Sequence, residues 1–265
     1  MEYKYLTLER SEHVATVTLN RPNRLNALSL DLMDEIDHVA NEFNEDAQTR
    51  VVIFAANGKH FSVGADLTDE KRMEQQTTDS LLMKFRHVKI GPKMIRSIHE
   101  INQITIAAIN GYALGGGACI TTACDFRIGA DTCAVGYPEV NLAMNLSWRA
   151  LPLLVHLIGP ARAKRMVILA RKEKAETLLK WGFLDEMVPQ DQLLIKAREM
   201  AEAYAAQAPI AAQMVKRSVN AISSALDQAV MHMDSDQFLH SISGEDFQEA
   251  IKGFLEKRTP VFKGN

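Results

Sequence analysis

Asn110-Gly111-Tyr112-Ala113-Leu114-Gly115-Gly116-Gly117 and, about fifty residues earlier, Phe61-Ser62-Val63-Gly64-Ala65-Asp66-Leu67 are the two stretches whose reading decides the fold. Each follows an apolar run that reads as a strand, Ile104 to Ile109 and Val51 to Ala55 respectively. Such runs, rich in β-branched residues and without alternation, are the pattern of strands buried on both faces. The glycines leave no Cβ between the backbone and a ligand, so main-chain N–H groups can approach it closely. Two such groups converging on one oxygen form an oxyanion hole. One glycine-rich turn is a weak signal. Two in this arrangement, followed by Tyr137-Pro138-Glu139, are a strong one.

Outward from these turns, the first half alternates strand and helix signals. Leu6 to Arg10 and Val14 to Leu19 read as strands joined by Ser11-Glu12-His13, and Arg21-Pro22 ends the second. Ser29 reads as an N-cap, with Leu32, Ile36, Val39, Ala40 and Phe43 as the apolar stripe of a helix. Asp69 to Lys89 is polar and Met-rich without a clean period and reads as a loop containing helix; Pro92 to Ile101 reads as a helix. Beyond Phe126-Arg127-Ile128-Gly129 the chain turns helical, with spacing for helices at Ala150 to Ile158, Ala161 to Ala170, Lys174 to Trp181, Gln190 to Ala205, Pro209 to Ala225 and Glu245 to Lys257. An α/β core with a helical C-terminal part is expected, the core over 1–200 and the helical region over 201–265.

Composition narrows the function classes. The 265 residues suffice for a full core, and 47% apolar with 24% charged residues is ordinary for a globular protein. A net charge of −3 argues against a partner bound through nucleic-acid phosphates. Cys119, Cys124 and Cys133 face no second Cys or His cluster, so neither a disulfide framework nor a metal site is indicated, and buried thiols in a reducing, cytoplasmic setting are expected. The first residues lack the basic and apolar regions of a secretory signal, and no stretch is apolar and long enough to span a membrane.

Taken together, Leu19-Asn20-Arg21-Pro22 with Asn26-Ala27-Leu28, the two glycine turns, Cys124-Asp125, Gly136 to Glu139, Gly159 to Ala163, Ala175 to Val188 and Gly253 to Arg258 resemble the crotonase superfamily, the enoyl-CoA hydratase/isomerase family, nearly end to end. The resemblance implies a crotonase-like spiral of ββα units with a helical C-terminal trimerisation region. It also implies a homotrimer or dimer of trimers, and an acyl-CoA thioester substrate with coenzyme A as part of that substrate and no separate cofactor. By the same resemblance the oxyanion-hole N–H groups are those of Ala65 and Gly116, and Glu139 is the acid/base. Arg24, Leu25, Val63, Asp66, Leu67 and Gly115 fall around the CoA and thioester, Trp148 by the acyl group, and Phe254 and Lys257 reach CoA from a neighbouring subunit.

Two departures bear on the chemistry. Family hydratases carry a first glutamate two residues after the last glycine of the turn; here that position is Cys119, a poor partner for polarising water while it stays a thiol. One glutamate suffices for a double-bond shift or for a single-glutamate hydration. In place of the family's Pro-Gly-rich turn stands Met144-Asn145-Leu146-Ser147-Trp148-Arg149, with Ser147 a candidate N-cap and Trp148 either shaping the acyl pocket or packing in the core. His60, His87 and His99 lie near enough in sequence to approach the acyl end, and Asp69, Glu70 and Glu74 are candidates for a second acid. The expected activity is isomerisation or hydration of an enoyl-CoA through a thioester enolate. The alternatives are hydrolysis of a C–C bond in a β-dicarbonyl compound and a non-catalytic acyl-CoA-binding role, because one fold hosts all of these.

Overall fold

A computed structural model describes residues 2–265. Nine strands, β1 Leu6–Ser11, β2 Val14–Leu19, β3 Val51–Ala56, β4 Ile104–Ile109, β5 Tyr112–Leu114, β6 Phe126–Ala130, β7 Ala134–Gly136, β8 Glu173–Lys174 and β9 Glu186–Val188, form two sheets. The larger runs β1-β2-β3-β4-β6-β9 and is parallel except for the β1–β2 hairpin; the smaller runs β5-β7-β8. The interior strands are buried on both faces, as their unbroken apolar runs require.

Each pass of the chain lays one strand in the large sheet, then a short extended segment in the second layer, then a helix. After β2, Leu28 lies beside Ala65; after β3, Ser62 lies beside Ala113 of β5; after β4 comes β5 itself; after β6 comes β7. The result is a spiral whose second layer stacks successive turns side by side, and both glycine turns lie in that layer. The helices between turns are α1 Leu30–Glu42, α2 Glu70–Thr78, α3 Leu81–His87, α4 Ile90–His99 and α5 Gly116–Ala123. Ser29 caps α1 as its sequence indicates, its Oγ accepting the Leu32 N–H at 3.2 Å. The polar segment 69–89 proves to be two helices, α2 and α3, capped by Asp69 and Ser80.

The second half is less uniformly helical than its periodicity implies. Between α6 Ala150–Ile158, α7 Pro160–Ile168 and α8 Ala175–Trp181 the chain adds β8, and after α8 it returns to the large sheet as β9, which supplies the edge next to β6. α9 Leu193–Ala205 packs across β2, β3, β4 and β6 and closes the core. α10 Pro209–Ser223, α11 Gln228–Met231, α12 Asp234–Ile242 and α13 Glu245–Glu256 follow. α10 is tied to the core by Lys216, whose buried Nζ meets Asp125 Oδ2 at 2.7 Å and the Gln103 carbonyl at 2.8 Å. α12 and α13 cross back over the mouth of the second layer. No helix among the described residues is long and apolar enough to cross a membrane.

Candidate active site

The two glycine turns meet because their spiral turns are hydrogen-bonded neighbours. Leu114 N–H donates to the Ser62 carbonyl at 2.9 Å, and Ser62 N–H to the Tyr112 carbonyl at 3.0 Å. Gly64 sits at φ +93° against the Leu114 carbonyl, and Gly115 at φ +51°, ψ −121°; both are conformations open essentially only to glycine. On either side of these residues the backbone groups are paired: Leu28 N–H to the Gly64 carbonyl, Asp66 N–H to the Leu28 carbonyl, Gly115 N–H to the Gly136 carbonyl. The Ala65 and Gly116 N–H groups are donated to no acceptor among the described residues. Gly116 opens α5, so its N–H is one of the unpaired donors at the positive end of a helix.

Glu139 follows in the next spiral turn. Its carboxyl comes up beside the same turn, so that a Cβ on Gly115 would lie 3.1 Å from Oε1. The preceding Tyr137 is fully buried, with its hydroxyl paired to Thr122 Oγ1 on α5, which anchors the segment to the helix that starts at Gly116. Glu139 Oε2 is buried without a hydrogen-bond partner. Burial pushes this carboxyl up to about 7, with no opposing cation. Cys119 lines the same cleft; burial, reinforced by the charge of Glu139, pushes its thiol well above the usual range, so it remains protonated.

Ala65, Gly116, Cys119 and Glu139, together with Val63, Leu67 and Gly115, line a cleft of about 190 Å³ that Phe238 of α12 and Phe247 and Ile251 of α13 cover. Trp148 forms one wall. Its indole lies against Gly116 and Gly91, and a Cβ on either glycine would overlap the ring. Trp148 thus both packs and shapes the cleft. Ser147 does not cap α6, contrary to its sequence reading. The chain instead enters the helix through Trp148 and Arg149, both left-handed at φ +58° and +61°, with Asp234 Oδ2 accepting the Arg149 N–H at 2.7 Å. A second compartment of about 120 Å³ lies behind Trp148, sharing Arg72, Ser147, Trp148 and Phe238 with the first.

The remaining sequence candidates divide. Arg24 and Leu25 are exposed on the turn after β2, and the Leu25 carbonyl accepts the Val63 N–H at 3.3 Å, which brings this turn to the edge of the cleft. The Asp66 side chain is buried and bound to Arg21 at 2.9 Å and to Thr68 at 2.8 Å; against the effect of burial these partners hold it below the usual range, and its N–H is paired to the Leu28 carbonyl. Phe254, 62% exposed, and Lys257 lie on the outer end of α13, away from this chain's own cleft.

None of the three acids considered as a second carboxyl reaches the cleft. Asp69 accepts the Leu30 N–H at 2.6 Å and the Lys71 N–H at 3.1 Å, and Glu70 and Glu74 face outward. His60 accepts the Tyr112 N–H through Nδ1 and stacks on that ring, a structural role. His87 pairs with Asp79 beside the second compartment, and His99 lies in a separate cavity with Arg149 and Asp227. Arg72 and Phe238 had no signal in the sequence. One sits in a polar stretch without period, the other on a helix whose apolar residues are few.

The sequence model of the enoyl-CoA hydratase/isomerase family matches residues 9–265. The short-chain-enoyl-CoA hydratase of Clostridium acetobutylicum is 32% identical over 259 residues, 97% of each chain. The crotonyl-CoA hydratase of Syntrophomonas wolfei is 30% identical over 99% of each. The crystal structure of an enoyl-CoA hydratase from Bacillus anthracis superposes with a TM-score of 0.76 at 34% identity, covering 99% of this chain and all of that one. The spiral fold, the meeting of the two glycine turns and the match over almost the whole length lead to one assignment: this chain is an enzyme of the enoyl-CoA hydratase/isomerase family.

Proposed function

We propose that the chain shifts the double bond of an enoyl-CoA, using one carboxyl group. The thioester oxygen sits between the Ala65 and Gly116 N–H groups. As the α-proton leaves, charge builds on that oxygen, and each well-aimed donor contributes on the order of 3 kcal/mol to the transition state. Glu139, ionised, takes the proton from C2 of a 3-enoyl thioester, giving the dienolate. The same carboxyl returns a proton to C4, leaving the double bond between C2 and C3. Atoms balance without water or a cofactor. The observation that carries the reading is the solitary state of Glu139: its Oε2 is unpartnered, and the group opposite is a protonated thiol.

Hydration is the second reading, favoured by the names of the relatives at 30–32% identity. In it Glu139 moves the proton at C2 and water adds at C3 without a second carboxylate. Incubation of crotonyl-CoA and 3-hexenoyl-CoA in D₂O, followed by NMR and mass spectrometry, separates the two. A shifted double bond with deuterium at C2 or C4 and little water addition is the expected outcome. Rapid hydration of crotonyl-CoA with no shift of 3-hexenoyl-CoA would replace isomerisation by hydration.

The exposed apolar residues along α10, among them Ile210, Met214, Val215, Val219 and Ile222, support self-association of the chain as a trimer or a dimer of trimers. In such an assembly Phe254 and Lys257, remote from their own cleft, serve the CoA of a neighbour.

A further inference from the structure

Arg72 is the charged group in the site that the proposed reaction leaves without work. It lies on α2, and its guanidinium faces both the catalytic cleft and the compartment behind Trp148. Its Nε and Nη2 are buried and have no hydrogen-bond partner. A guanidinium stays charged when buried; Asp69 and Asp66 lie near enough to favour that charge, but neither bonds these two nitrogens, and buried donors left unbonded are costly. The carboxylates whose charge reaches it, Asp69 and Asp66, and Asp79 in the compartment wall are bonded elsewhere. Asp66 holds Arg21 and Thr68, Asp69 holds two main-chain N–H groups, and Asp79 holds His87. Arg72 therefore keeps two open donors on a side chain that lines both compartments. The inner compartment is bounded by Met33, Val88 and Leu239 and includes none of Arg24, Leu25 or Leu67, so Arg72 stands where the catalytic cleft passes into the space farther from the entrance.

We infer that Arg72 binds a carboxylate at the distal end of the acyl group, making the preferred substrate the mono-CoA thioester of an unsaturated dicarboxylic acid. A planar guanidinium takes a carboxylate in two parallel hydrogen bonds, and a site built to pair a charge rejects the chain that lacks it, because its own group is then left bare. Beside the Asp79–His87 pair and Lys84, the compartment presents Leu30, Met33, Val88, Ile90, Leu239 and Ile242, apolar surface that suits the methylenes between the two ends. The inference deepens the reading given under Proposed function and rests on it for the position of the thioester.

The test uses binding and turnover on the whole chain. Calorimetric titration with the unreactive pair adipyl-CoA and hexanoyl-CoA is expected to give at least tenfold tighter binding of the diacid thioester. Arg72→Gln abolishes that preference, and Arg72→Lys restores part of it, since the charge returns without the fork. Methyl-ester capping of the adipyl carboxylate removes the preference in the unsubstituted chain, which covers the case of a variant that does not fold. Equal affinity for the two thioesters would overturn the inference. So would an Arg72→Gln variant that weakens adipyl-CoA, hexanoyl-CoA and free CoA alike, which would put the guanidinium on the CoA body. The corresponding enoyl thioesters keep the two readings apart: turnover without preference for the diacid sinks the carboxylate site alone, and diacid-selective binding without turnover sinks the reaction alone.

Discussion

Glu139 is set by its surroundings to change charge near neutrality. A carboxyl normally ionises near 4.5; burial, opposed only by its own backbone N–H, moves it to about 7. If it acts as the base at C2, kcat/KM for 3-hexenoyl-CoA rises with pH through about 7 and is level above it, because the ionised form of the free enzyme is the active one. A fall above that pH would identify the protonated carboxyl as the working form. Glu139→Gln is expected to remove this limb and lower turnover by about 10²–10⁴-fold. The same variant carries a stability signature. The folded pKa lies above the unfolded one, so stability is full below about 4.5 and declines as pH rises to about 7, by about 3 kcal/mol in all. Glu139→Gln has no such decline, and chemical denaturation at pH 5 and pH 8 measures it.

The turn from Met144 to Arg149 is the element on which the shape of the cleft depends. Two successive left-handed residues, each of which costs on the order of 1–3 kcal/mol outside glycine, hold the Trp148 indole over Gly116. What keeps the turn in place is the Asp234 carboxylate on the Arg149 N–H. Asp234→Ala is expected to cost about 1–3 kcal/mol by leaving that donor unpaired. It should also release Trp148, seen as a red shift in its fluorescence and a higher KM with a smaller change in kcat. An unaltered spectrum and KM would show that packing alone holds the ring.

Elements also mark how far the sequence could be read. Ile104–Ile109, Ala150–Ile158 and the Ser29 cap lie where local pattern puts them, because apolar period and capping chemistry are properties of neighbouring residues. The three-residue strands β5 and β7 are invisible, since only pairing with distant segments makes them strands. β9 is hidden for the same reason. Ser147 misled because its hydroxyl suits a cap, while the actual entry to α6 is dictated from 85 residues away by Asp234. The meeting of the two turns was legible in their glycines. Arg72 was not, because nothing local distinguishes an arginine that lines a cleft from one in solvent.

At the scale of the molecule, the row of exposed apolar side chains on α10 is too long to be left to water in a stable chain, and a second copy is the cover that the proposed function implies. Light scattering is expected to give the mass of three or six chains. Val219→Asp, placing a charge within that row, should shift the population toward the single chain; a monomeric unsubstituted protein would remove the basis for a neighbour's Phe254 and Lys257 at the CoA. The stacking of the spiral has a wider consequence. Ala65 and Gly116 belong to successive turns, so the gap between their N–H groups follows from the spacing of hydrogen-bonded strands, roughly 4.8 Å, rather than from their own side chains. The chemistry therefore possesses a fixed gauge written in the main chain. Around it the side chains that line the cleft are free to vary, and under the proposed function a thiol can stand at Cys119 without disturbing the grip on the thioester oxygen.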